Sequence, residues 1–64
     1  MKKFEEVMEE INSIRTEYME QHNDKSVYLY DFEDEAYIED IEDICNENNI
    51  KYKLKNDGIL IFKP

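Results

Sequence analysis

The stretch Ile50-Lys51-Tyr52-Lys53-Leu54-Lys55 constrains this chain most, because apolar and charged residues exchange places at every step. A period of two belongs to a strand with one dry face and one wet face. The turn signal Asn56-Asp57-Gly58 follows, and Ile59-Leu60-Ile61-Phe62 returns, apolar on both faces. A β-hairpin is therefore expected at this end. A three-residue loop with Gly58 in the left-handed position pairs Lys55 with Ile59, Leu54 with Leu60 and Tyr52 with Phe62. In that register Ile50, Tyr52, Leu54, Leu60 and Phe62 share one face. Ile59 and Ile61 share the other with the three lysines. The alternative is a two-residue loop that sets Ile61 opposite Leu54.

Upstream the apolar period changes to that of a helix. Phe4, Val7, Met8, Ile11, Ile14, Tyr18 and Met19 fall in one arc centred on Ile11, which predicts a helix over about residues 2–22. Glu5, Glu6, Glu9, Glu10, Glu17 and Glu20 occupy its back. His22 in the last turn would complement the negative end of the helix dipole. Residues 26–30 read as a strand, since Val27-Tyr28-Leu29-Tyr30 is β-branched and aromatic. Alternation places Tyr28 and Tyr30 on one face, Val27 and Leu29 on the other. Asp31, with Asp34 behind it, offers a cap for a second helix over about residues 33–48. Tyr37, Ile38, Ile41, Ile44 and Cys45 form its apolar arc. Asn46-Glu47-Asn48-Asn49 supplies the stop, because Asn tolerates the left-handed conformation at a helix end.

The element order α-β-α-β-β predicts an α+β fold in two layers. A strand-helix-strand unit crosses over right-handed with its strands parallel. The last strand, apolar on both faces, suits the centre. The lysine-bearing strand suits an edge, where charge discourages pairing with other chains. The expectation is a three-stranded mixed sheet in the order first, third, second (1-3-2), with both amphipathic helices packed on it.

Sixty-four residues form one domain with a small core. Asp and Glu number 17 against 8 Lys and Arg, a net charge of −9. Disorder is the other reading of such charge, but 41% of the residues are hydrophobic and strongly periodic. The excess disfavours direct binding of nucleic acid or of anionic membranes, both of which call for Lys and Arg patches. No apolar run approaches a membrane span, and Glu5 and Glu6 interrupt the signal-like start Met1-Lys2-Lys3. A single cysteine fits a reducing compartment, so a cytosolic protein is expected.

Chemistry finds little support. A lone His22 and a Cys45 on the apolar arc do not make a dyad, and the chain's single glycine leaves no phosphate-cradling loop. No cysteine or histidine spacing suits zinc. Asp31, Glu33 and Glu35 imitate the opening of a calcium loop, but its glycine is missing. No enzyme, cofactor or dedicated metal site is expected.

Three surfaces stand out. Glu35, Glu39, Asp40, Glu42, Asp43 and Glu47 line the back of the second helix. Carboxylates packed along a helix approach the charge density of a nucleic-acid backbone. They would suit a basic groove on another protein; the plain alternative is a solvated face that maintains solubility. In the first helix Phe4, Val7, Ile11, Ile14 and Tyr18 fit a and d positions of roughly two heptads, a seam for a dimer or simply the stripe that packs on the sheet. In the hairpin, Ile59 and Ile61 among lysines would form an exposed patch for a homodimer or other partner, unless a helix covers them. The five tyrosines are further interface anchors or core-edge residues.

In size and composition the chain resembles the compact acidic proteins that phages and other mobile elements direct against host nucleases and defence complexes. The expected function is a non-enzymatic interaction module, a small acidic inhibitor or adaptor for a basic surface. A dimerising or assembly subunit using Ile14, Ile59 or Ile61 is the alternative.

Overall fold

A computed structural model of the chain describes residues 1–14 and 18–64. The fold is α+β, with two helices on one face of a four-stranded antiparallel sheet. Helix α1 spans Phe4–Ile14. Strands β1 and β2, Met19–His22 and Ser26–Tyr30, form a hairpin. Helix α2, Ala36–Glu47, leads to the second hairpin, β3 (Tyr52–Leu54) and β4 (Gly58–Phe62). The strand order is β1-β2-β4-β3.

Each boundary has a local cause. Val7 N–H donates to the Lys3 carbonyl, so Lys3 caps α1, and the Glu6 carboxylate accepts from the Lys3 N–H at 3.2 Å. That is the backward half of a capping box. At the far end of α2, Ile50 N–H reaches the Cys45 carbonyl and Asn49 N–H the Asn46 carbonyl, while Asn49 takes φ 55°. This is a Schellman closure with asparagine in the left-handed position. The start of α2 departs from expectation. Asp31 has φ 59° and donates its N–H to the Asp57 carbonyl, next to the β2–β4 ladder. Asp34 instead accepts from the Ala36 N–H at 2.9 Å.

The long first helix is corrected. The helix is described over Phe4–Ile14, and Met19–His22, expected within it, is a strand paired with β2. Tyr18 and Met19 continue the helical spacing of Ile14, which disguises the change. Tyr18 stacks on Phe32 with ring centroids 5.1 Å apart, and Met19 is 54% exposed. His22 ends a strand rather than a helix. Glu17 lies outside the described residues.

A fourth strand also changes the sheet. The relative order β2-β4-β3 agrees with expectation, with the lysine strand at an edge, but β1 adds the opposite edge. The sheet is not mixed. β2 and β3 do run in the same direction, yet β4 lies between them and opposes both, so every neighbouring pair is antiparallel.

The hairpin register is shifted by one residue. Leu54 pairs with Ile59, Lys53 with Leu60 and Tyr52 with Ile61. Lys55 N–H donates to the Gly58 carbonyl, so Asn56-Asp57 form a two-residue loop. Gly58 does not have positive φ. Its need for hydrogen in place of a side chain comes from β2, since a Cβ would lie 1.9 Å from the Leu29 carbonyl oxygen and 2.7 Å from the Tyr30 Cα. This pairing moves Ile59 and Ile61 to the helical face.

The core is therefore Val27, Leu29, Ile59 and Ile61 of the sheet against Val7, Met8 and Ile11 of α1 and Ile41, Ile44 and Cys45 of α2. Lys2 N–H donates to Asn48 Oδ1, tying the start of α1 to the end of α2.

Candidate functional site

The acidic backs of the helices and the Lys51, Lys53 and Lys55 face of the sheet lie on different layers, with Lys2 and Lys3 at the start of α1. Glu39, Asp40, Asp43 and Glu47 are exposed on α2, and Glu35 is exposed at its N-cap. Glu42 is half-buried and accepts from the Tyr52 hydroxyl at 3.0 Å. Among the described residues, no ion pair joins these six to a lysine or histidine; Lys2 pairs with Glu10, and His22 lies against Glu20. The Glu10 carboxylate holds the Lys2 ammonium above its ordinary pKa through their hydrogen bond. Glu5, Glu6 and Glu9 extend the acidic surface along the exposed back of α1.

The predicted oligomer contacts fare differently. Ile59 and Ile61 are 0% exposed beneath the helices and offer nothing to a partner. The one-residue shift in register is the reason. Ile14 is half-buried and packs against the core, and Val7 and Ile11 of the same stripe are fully enclosed. The first-helix seam is thus used within the chain.

What sequence reasoning missed is the other face of the sheet. Each cross-strand row starts from a lysine of the β3 segment. Lys53 lies beside Leu60, which pairs with Tyr28, which pairs with Gln21. Lys55 neighbours Gly58, followed by Tyr30 and Met19. The Lys51 carbonyl accepts from Phe62 N–H, and Phe62 pairs with Ser26. The Tyr28 and Tyr30 rings stack with centroids 5.0 Å apart at 18°. Phe62 is 38% exposed. The alternation of β2 gave half of this face; the rest was hidden by the expected loop length.

The hydroxyls of Tyr18, Tyr28 and Tyr52 are engaged. Tyr28 donates to Asp57, which pushes its pKa up to about 12. Partial burial, aided by Glu20, pushes Tyr18 to the same value. Tyr18 also donates to Asn12. The bond from Asn46 lowers the Tyr52 pKa, but the bond to Glu42, burial and the Glu42 charge together raise it above its ordinary value.

The chain's single thiol lies inside the core. Cys45 is fully enclosed, and burial pushes its thiol up to about 11, away from the reactive thiolate. His22 sits on the exposed β1, 3.0 Å from Glu20. Among the described residues no cluster of three or more His, Cys, Asp or Glu could hold a metal ion. No described helix is long and apolar enough to cross a membrane. Comparison with protein families, with curated proteins and with solved structures finds no match to this chain.

Proposed function

We propose that the protein is a non-enzymatic interaction module, a small acidic inhibitor or adaptor whose helical layer binds a basic surface on another protein. The observation that carries this reading is the charge separation. Glu35, Glu39, Asp40, Asp43 and Glu47 point to solvent without ion-pair partners among the described residues, while Lys51, Lys53 and Lys55 belong to the sheet. Carboxylates already neutralised by internal lysines would have little to offer a partner. Exposed and unpaired, they keep their long-range field and lose little desolvation energy until contact. A basic, nucleic-acid-binding groove is the complementary surface, and an inhibitor of the kind mobile elements carry would occupy it.

The test is capture of partners from a host lysate on immobilised protein, eluted with a salt gradient, in parallel with the variant Glu39→Lys/Asp43→Lys. The expected result is a discrete partner released at moderate salt, and its loss from the variant column with the variant still folded. Screening acts over about 8 Å at physiological ionic strength, so an electrostatic complex must weaken steeply above it. A partner that stays bound at high salt and to the reversed variant would reject this reading.

A further inference from the structure

The helix-free face of the sheet combines two features that the rest of the molecule keeps apart. One is positive charge. Lys51, Lys53 and Lys55 repeat along one edge at two-residue intervals, a rise of about 6.7 Å between successive ammonium stems. The other is planar and apolar surface. The stacked Tyr28–Tyr30 pair, Leu60 and the exposed Phe62 lie on the two central strands beside that edge.

Two depressions adjoin the lysine edge. The one on the open face, about 380 Å³, is lined by Gln21, Asn23, Tyr28, Lys55 and Leu60. A second, about 790 Å³, runs along the β3 edge between Phe62 and the end of α2, with Lys51, Lys53, Asn46 and Asn49 in its walls. Neither contains a carboxylate, in a chain with 17 of them. Of the carboxylates bordering them, Asp57 accepts the Tyr28 hydroxyl and Glu42 the Tyr52 hydroxyl, while the Asp31 charge also acts on Tyr28.

We propose that this face, with the Lys51–Lys53–Lys55 edge beside Tyr28, Tyr30 and Phe62, binds single-stranded nucleic acid. The lysines take the phosphates of a strand running along β3, and the bases reach over β4 onto the aromatic rings. Each base has a π-face, so this recognition is tolerant of sequence. An acidic peptide would satisfy the lysines but leave the rings unused. A duplex hides its base faces and would use only the edge. The net charge of −9 does not forbid the interaction. The acidic backs of the helices lie on the opposite layer of a molecule whose shortest dimension is 17 Å, about two screening lengths at physiological salt.

The experiment is fluorescence anisotropy of a labelled oligothymidylate of about 12 nucleotides, a length within the reach of one small module. Saturable binding is expected, with a log–log salt slope of about −2 from three phosphate contacts. Reversal of Lys51, Lys53 and Lys55 to Glu should abolish it, and Phe62→Ala should weaken it about tenfold through lost stacking. These side chains face solvent, and circular dichroism confirms that each variant is folded. The lysine variant keeps the test valid should Phe62→Ala fail to fold. Absence of saturable binding would overturn the proposal. So would equal affinity for an abasic oligomer or an oligoglutamate of the same length, or a dimer in sedimentation that Phe62→Asp dissociates. Glu39→Lys/Asp43→Lys probes the other layer, so failure of the helical reading leaves this result distinct.

Discussion

At the scale of single residues, Gly58 leaves no room for a side chain. Its strand lies so close to β2 that any side chain meets backbone, and backbone cannot step aside as a flexible side chain can. Gly58→Ala is expected to cost about 2–4 kcal/mol, a large part of the stability of a domain this size. Urea denaturation measures it, and a loss under about 0.5 kcal/mol would show that the strands separate easily. Tyr28 and Tyr18 make a second prediction. Both resist ionisation to about pH 12 in the native state, whereas an unfolded tyrosine ionises near 10. Below pH 10 both states are neutral and the contribution is complete. As pH rises from 10 towards 12, the unfolded chain releases its protons first, so stability falls through that window. Thermal melts between pH 9 and 12 test this, and Asp57→Asn should bring the Tyr28 phenolate signal to lower pH.

At the scale of elements, the β1–β2 hairpin depends on Asn23. Its Oδ1 accepts from Lys25 N–H at 2.8 Å, Ser26 N–H at 2.7 Å and Ser26 Oγ at 3.1 Å, closing the Asp24-Lys25 loop. The Lys63 ammonium also bonds its carbonyl at 2.8 Å. Asn23→Ala should destabilise the protein by about 1–2 kcal/mol and release β1 first. Hydrogen exchange would show lost protection in Met19–His22 ahead of β4; uniform loss across the sheet would contradict it. This hairpin also shows where sequence reading fails. Met-Glu-Gln-His has neither the β-branched content of Val27–Tyr30 nor alternating burial, since all four residues of β1 are exposed. Nothing in its pattern announces a strand, because its pairing is set by a turn and a neighbour. By contrast α2 was legible to within three residues, since its apolar arc and its asparagine stop are both local. β4 at the centre and the lysine strand at the edge followed from their one- and two-faced hydrophobicity. The register did not, because Asn56-Asp57-Gly58 admits several loops and the choice rests on how closely Gly58 can approach Leu29. The acidic helix backs were readable from the sequence; the open face with Phe62 and Leu60 required that register.

At the scale of the whole molecule, charge acts against compactness. Nine excess negative charges on a body of 28 × 21 × 17 Å repel one another, most strongly along the helical layer. Raising salt from a few millimolar to physiological strength should therefore raise the melting temperature by several degrees, a shift of about 1 kcal/mol for a domain this small. Calorimetry at two ionic strengths decides it, and an unchanged midpoint would mean that the carboxylates are too dispersed to repel. The opposed dressing of the two layers has a further result. The acidic helix backs on one layer and the Lys51, Lys53 and Lys55 ammonium groups on the other give the protein a permanent electric moment from layer to layer. A positively charged surface turns it before contact and receives it helices first, leaving the tyrosines facing outward.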